Sequence, residues 1–432
     1  MDKNILRLAI PNIISNITVP LLGMIDMFIV GHLSSELFIG AIAIAVMIFN
    51  FIYWSFSFLR MGTSGFTAQA YGANDKQEII NVLMKSLFVA LLGSLFIVGL
   101  QYYIFEIILY FVQASPEVMT LASEYFYIYI WAAPAVLGMY AFTGWFIGLQ
   151  DAKRPMYISI AVNIINIIMS LLLVFVLKWE LKGVAFASLI AQYSGLLLAV
   201  LIGLIKYKPF IKRINLNFIK NLSELIPFFK VNSNIFLRTL CLIIVSTFFT
   251  SASAKFGNTT LAVNSLMMQL FVLFSYMMDG FAYAAEALTG RYIGEKNPVS
   301  LKKLINRLFL WGGILTLLFT LTYAVGSKTI LSILTDKQSV LDVANQYIGW
   351  VLLIPIAGFA AFLWDGIFIG MTASRHMRNA MFISMLLFFI VYFTTKDYLA
   401  NNGLWLSFII YLAVRSITQS YMFNSVKNKI GL

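Results

Sequence analysis

Long apolar stretches, broken by short polar clusters, recur along the whole chain. They are clearest at Ile39–Phe58, Ser86–Ile108, Ile158–Leu177, Ala185–Ile205, Leu240–Ser251 and Leu308–Val325. A helix needs roughly 20 such residues to cross the hydrocarbon core of a bilayer. The pattern therefore predicts an all-α, polytopic membrane protein. A transmembrane β-barrel would show short segments of alternating apolar and polar residues instead. The first span is expected around Asn16–Leu33. Lys3 and Arg7 precede it, but no A-x-A-like cleavage site follows, so it is read as a retained helix.

The pattern repeats. "TAQAYGAND" at Thr67–Asp75 aligns with "TGRYIGEKN" at Thr289–Asn297, "LASEYF" at Leu121–Phe126 with "VANQYI" at Val343–Ile348, and "GWFIG" at Gly144–Gly148 with "GIFIG" at Gly366–Gly370. All three pairs share one offset, 222 residues, which sets a gapless register from about Phe38 to about Pro155. A shared offset is the signature of duplication. Twelve spans in two six-helix halves follow, as parallel repeats about an axis along the membrane normal. The expected division is an N-terminal lobe at 1–205, a basic, amphipathic linker at 206–225 lying on the inner leaflet, and a C-terminal lobe at 226–432. Gly144 and Gly148, like Gly366 and Gly370, are four apart, a spacing that lets helices approach closely.

Composition agrees and charge adds topology. The 432 residues are 61% hydrophobic and 11% charged, with a formal net charge of +12. With both termini cytoplasmic, 21 of the 30 lysines and arginines fall inside and six outside. Arg60, Arg238 and Arg415 stay within spans. This is the positive-inside distribution, so the basic balance marks a membrane topology and no nucleic-acid partner. Cys241 is alone and forms no intramolecular disulfide.

A few charges fall where lipid makes them expensive: Asp26, Arg60, Arg238, Asp279, Glu286, Asp365 and Arg415. On insertion scales each costs about 2.5–3.5 kcal/mol at the bilayer centre, so such groups turn inward and pair. At the repeat offset Asp26 faces Phe248, Arg60 faces Ala282, Asp279 faces Ser57, Glu286 faces Ser64 and Asp365 faces Thr143. The scaffold is duplicated and the charges are not. Asp26 has no evident basic partner at its depth. A desolvated carboxyl of this kind can exchange a proton near neutral pH or bind a cation; a satisfied, purely structural aspartate is the plain alternative. Pro11 and Pro20 can kink this span. In the second half, Asp279, Glu286 and Asp365 face Arg238 and Arg415, and a network that couples transport or one that specifies packing both fit. Asn163, Asn166 and Ser170 lie on one span, Ser188 and Gln192 on the next. Interhelical hydrogen bonding and ligand binding are both open for them.

No G-x-x-x-x-G-K-[ST] loop is present, so ATP hydrolysis by that route is excluded. His32 and His376 are isolated and, with one cysteine, make no zinc site. No catalytic constellation and no cofactor are expected, and an ion gradient is the expected energy source.

Four stretches, "SNITVPLLGMIDMFIVGHL", "FLRMGTSGFTAQAYGA", "MDGFAYAAEA" and "WDGIFIGMTASRHMRNAM", resemble the MATE (multidrug and toxic compound extrusion) family, and within it the DinF branch. The resemblance covers nearly the whole chain and includes the intramembrane charges. It implies twelve helices in two pseudo-symmetric lobes around a V-shaped cavity, and export of organic compounds in exchange for H⁺ or Na⁺. Asp26 matches the family's coupling carboxylate and Asn166 its fifth-helix asparagine. Ser170 stands where many relatives carry an aspartate, and Ser188 where threonine is common. One carboxylate remains in the N-lobe site, which favours protons; Na⁺ held by Asp26 and Asn166 is the alternative. Arg238, Asp279, Glu286, Asp365 and Arg415 match the DinF pattern, and Arg60, with Asn163, joins the expected cavity or charge network.

The expectation is a secondary antiporter, working as a monomer in a bacterial cytoplasmic membrane with both termini inside. It would exchange H⁺ or Na⁺ for small amphipathic, cationic organic compounds by alternating access. An exporter of organic anions and a lipid-linked oligosaccharide flippase of the same superfamily are the rivals. Arg60, Arg238 and Arg415 speak for the flippase and their acidic neighbours against it.

Overall fold

A backbone in lipid must meet its own N–H and C=O groups, and a helix does so locally. In the computed structural model, residues 1–33, 35, 37–111, 114–214, 222–335 and 337–427 are described, and among them every regular element is helical. The first half contains α1 (Asp2–Gly31), α2 (Leu37–Ser55), α3 (Phe58–Gly72), α4 (Lys76–Gly99), α5 (Gln101–Phe111), α6 (Pro116–Tyr129), α7 (Ala133–Gly148), α8 (Lys153–Leu171) and α9 (Glu180–Lys206). After the short α10 (Lys208–Ile211) come α11 (Ile226–Ala254), α12 (Asn258–Gly294), α13 (Pro298–Leu334), α14 (Gln338–Gly370), α15 (Ser374–Leu399) and α16 (Asn401–Lys427). Of the expected linker, 215–221 lie outside the described residues.

Eleven segments among the described residues are long and apolar enough to cross a membrane. The expected count was twelve. Helix α16 is not among the eleven, since Arg415, Gln419 and several serines and asparagines dilute its apolar face.

Contacts divide the chain into two units, Ile14–Phe229, and Met1–Ile13 with Lys230–Leu432. The expected N-terminal lobe began at residue 1, but the first turns of α1 pack with the second unit. Trp311 Nε1 donates to Asp2 Oδ1 at 3.2 Å, and Gly280 lies so close to Ile13 and the Ala9 carbonyl that no side chain fits between them.

The duplication reaches further than the sequence register. Among the described residues, six of the seven non-glycine residues with positive φ pair at the 222 offset, Asn74 with Lys296, Gln150 with Thr372, and Lys178 with Ala400, Glu180 being the exception. The helix caps repeat too. Asp75 accepts from the backbone N–H groups of Gln77 and Glu78, and Asn297 accepts from that of Ser300. The register expected to end near Pro155 thus extends to Lys178, through a stretch where side-chain identity has been lost but turn geometry has not.

The glycine pairs set the closest approaches. A β-carbon on Gly144 would stand 2.3 Å from the Arg60 carbonyl oxygen, and one on Gly366 would stand 2.2 Å from that of Ala282, its repeat counterpart. One turn on, Gly148 meets Ser64 and Thr67, and Gly370 meets Glu286 and Thr289, again at the same offset. Each unit is therefore built on one backbone-to-backbone seam, α3 on α7 and α12 on α14.

The units differ in regularity. In the first, the chain between Leu37 and Gly72 breaks after Ser55, and that between Lys76 and Phe111 breaks at Leu100. A 3₁₀ turn at Ile130–Ala132 separates α6 from α7, and a π turn at Leu172–Val176 follows α8. The corresponding α12, α13, α14 and α15 run without a break. Loosened carbonyls need partners in lipid. Tyr53 Oη donates to the Tyr129 carbonyl at 3.4 Å and Tyr193 Oη to that of Trp131 at 2.9 Å, meeting two at the 3₁₀ turn.

The seams give the first prediction. Gly144→Ala and Gly366→Ala should each destabilise the purified protein by about 1–3 kcal/mol, read as a lowered midpoint of thermal unfolding in detergent. Gly99→Ala, with nothing within 4 Å of the added carbon, should leave the midpoint nearly unchanged. Equal midpoints for all three would refute the seam.

Candidate functional site

In the first unit the site grows from α1. Asp26 is half-buried, and its Oδ1 is sealed from solvent with no hydrogen-bond partner among the described residues. Tyr125 and Tyr129, four apart on one face of α6, stand within electrostatic reach of it. The two rings continue into an aromatic wall. Phe49 meets Tyr129 edge-on at 4.7 Å between ring centroids and stacks on Tyr53 at 5.5 Å.

Behind the tyrosines lies the polar pair of spans. Ser188 of α9 stands beside the Tyr125 side chain and accepts from Asn166 Nδ2 at 2.9 Å. Ser170 donates to Asn166 Oδ1 at 3.5 Å, and Gln192 donates to Tyr129 Oη at 3.5 Å. Asn166 and Ser170 are buried at the end of α8, just before the π turn, a distortion often found at functional sites. Of the expected coupling residues, Asn166, Ser170 and Ser188 are joined directly, whereas Asp26 makes no hydrogen bond to them and shares with them only the neighbourhood of Tyr125.

Asn163 has a different task. Its Nδ2 donates to the Thr18 carbonyl at 3.1 Å, and Thr18 Oγ1 and Ser159 Oγ lie 3.2 Å apart. These contacts hold α1 to α8 two residues before Pro20, where the helix loses an internal hydrogen bond. Arg60 is buried on α3 at the seam with Gly144. Sequence reasoning missed Tyr125 and Tyr129. Their spacing of four, opposite the spacing of Ser188 and Gln192, was the available signal.

In the second unit, Asp365 of α14 collects the charges. Its Oδ2 accepts from Nη2 of both Arg238 (α11) and Arg415 (α16), and its Oδ1 accepts from Gln419 Nε2 at 2.5 Å. Arg415, 1% exposed, lies over the Phe362 ring at 5.5 Å. Asp279, half-buried, is within electrostatic reach of Arg415. Glu286 is buried two turns further along α12, against Gly370. The sequence offered three acids for two bases; the structure gathers both bases on one acid and adds Gln419, one turn from Arg415. No group of three or more histidine, cysteine or acidic side chains that could hold a metal occurs among the described residues.

Outside the spans, Asp151 in the turn between α7 and α8 receives Lys206 Nζ, Tyr207 Oη at 2.7 Å and Arg154 Nε at 3.6 Å. Burial pushes the carboxyl up, but these three partners outweigh it and hold it below the usual carboxylate range. Burial and the neighbouring carboxylate push the Tyr207 phenol up.

Two duplicated helical units with polar clusters inside apolar spans describe a polytopic membrane protein built on an internal repeat, the plan of many transporters. The chain belongs to the MATE family of multidrug efflux transporters, whose MatE model matches residues 11–172 and 235–394. It is 34% identical to DNA damage-inducible protein F of Escherichia coli (strain K12), over 96% of this chain and 91% of that protein. It is 25% identical to the probable multidrug resistance protein NorM of Acinetobacter baylyi, over 96% of this chain and 94% of that one. The fold matches a crystal structure of MATE in the bent conformation with a TM-score of 0.89 at 19% identity, covering 100% of this chain and 97% of the other.

The Asp151 cluster sets a pH test. A depressed carboxyl contributes stability that is full above its ordinary value and is lost as pH falls through the folded one. Wild type should therefore melt above Asp151→Asn at pH 7, with the gap closing as the pH falls below the usual carboxylate range. A gap independent of pH would show that the carboxylate charge is not what stabilises.

Proposed function

We propose that the chain is a proton-coupled antiporter, working as a monomer in the bacterial cytoplasmic membrane with both termini inside. It exports small amphipathic, cationic organic compounds by alternating access. The carrying observation is the buried, unpartnered Oδ1 of Asp26 within a polar and aromatic cluster. The charge of a sealed carboxylate with no hydrogen-bond partner at this oxygen can change without breaking a bond there.

Protons are favoured over Na⁺ by the bonding of the neighbours. A hard cation needs several free oxygens, whereas Asn166 Oδ1 already accepts from Ser170, and Ser188 Oγ from Asn166. Asp26 Oδ1, by contrast, accepts no hydrogen bond. The ionised carboxylate and the half-buried ring of Tyr129 suit an organic cation. Protonation removes the charge and releases it to the outside; loss of the proton to the cytoplasm restores binding. Coupling follows only if cargo prefers one protonation state, which a carboxylate facing a cation supplies. The family membership supports the exporter reading, and the positive-inside distribution supports the orientation.

The test is efflux of a cationic dye from everted membrane vesicles, with pH and Na⁺ gradients imposed separately. Wild type should respond to the pH gradient alone, and Asp26→Asn should lose that response. Unchanged, gradient-dependent transport by Asp26→Asn would sink the mechanism, and a response to Na⁺ alone would replace the proton.

A further inference from the structure

The cluster in the second unit is over-supplied with donors. Each arginine gives Asp365 a single Nη2 bond, although a guanidinium binds a carboxylate best through two parallel N–H groups. The Nε atoms of Arg238 and Arg415 are both sealed from solvent and have no acceptor. The two Nη2 atoms meet at one oxygen, and each guanidinium keeps its own unpaired Nε–H. Arg238 keeps 10% of its side chain accessible, against 2% for Arg415. Asp279 offsets part of the excess positive charge from a half-buried position.

The fold does not require this cluster. At the repeat offset Arg238, Asp365, Arg415 and Gln419 correspond to Asn16, Thr143, Tyr193 and Leu197, and the same scaffold stands there without a charge at any of these positions. Two buried guanidiniums sharing one carboxylate are a poor way to gain stability, because desolvation can exceed the attraction.

We propose that Arg238 and Arg415 form an acceptor site for a carboxylate group of the cargo, which competes with Asp365 for the two guanidiniums. The incoming carboxylate takes the unused Nε–H and Nη–H donors, and Asp365 retains Gln419. The site rests on the exporter reading and extends its substrate class to compounds bearing a carboxylate. Chloride shares the charge but not the two-oxygen geometry that matches a guanidinium fork.

Binding to the purified full-length protein in detergent tests this without any ion gradient, so its failure is separate from failure of the coupling mechanism. Benzoate is the probe, followed by calorimetry, with chloride and benzylammonium in parallel. Wild type should bind benzoate saturably and in preference to chloride. Asp365→Asn, which keeps the side-chain shape but removes the resident competitor, should bind it about tenfold more tightly. Arg238→Gln should lose it, and Asp26→Asn should bind as wild type does. Absence of saturable benzoate binding in both wild type and Asp365→Asn overturns the proposal. So does chloride binding as tight as benzoate, or an Asp365→Asn affinity equal to wild type. Should Arg238→Gln fail to fold, the comparison of wild type with Asp365→Asn decides alone.

Discussion

The contact on which each unit rests is a helix backbone laid directly on another, at Gly144 against the Arg60 carbonyl and at Gly366 against the Ala282 carbonyl. In lipid the hydrophobic effect gives helices no reason to associate, since the acyl chains are as apolar as the side chains. Close van der Waals packing is what remains, and it needs small residues. Once α3 lies on α7, and α12 on α14, the neighbouring helices have fixed surfaces to pack on. The recurrence of the contact atom for atom at an offset of 222 shows that duplication kept this geometry while it let most side chains change.

On that common base the first unit departs from regular helix and the second does not. The break after Ser55, the interruption at Leu100, the 3₁₀ turn at Ile130–Ala132 and the π turn at Leu172–Val176 all fall in the unit that holds Asp26. Irregular backbone at membrane depth survives only where it is met by protein groups or lines a wet cavity. Tyr53 and Tyr193 supply two of those partners. The 3₁₀ turn begins beside Tyr129 and the π turn just after Ser170. The polar cluster and the distortions share one region because a loosened helix frees carbonyls, and these call for the same hydroxyl and amide side chains that form the site.

Much of this was legible in the sequence. Apolar runs gave the helices, and the offset between Gly144 and Gly366 gave the repeat, because period and spacing survive one-dimensional reading. Charges stood out because lipid makes each one expensive. Tyr125, Tyr129 and Gln419 did not stand out, since a tyrosine or glutamine in a span carries no comparable penalty and its partners lie far away in sequence. The helix breaks were hidden for a related reason: Leu100 has neither the missing donor of proline nor the freedom of glycine. The packing of Met1–Ile13 with Lys230–Leu432 was hidden as well. A continuous helix has one periodicity, and that says nothing about which body each of its ends touches.

The charges invert the logic of the seams. A seam present in both copies is what the fold needs, whereas Asp26 and the Asp365 cluster each exist in one copy only. Phe248 at the position equivalent to Asp26 packs edge-on among Phe388, Phe389 and Tyr392, so that site in the scaffold accepts a wholly apolar solution. Replacing buried ionic groups by well-packed apolar ones is often neutral or stabilising, and the duplicated chain contains that replacement as its own control. The two ionic sites are also of opposite kind. Asp26 is an acceptor lacking a donor, and the Arg238–Arg415 pair has donors lacking an acceptor. A carboxylate without a cation and guanidiniums without a full complement of anions are each half of an interaction, and the missing halves are the charges that a transported molecule or ion can bring.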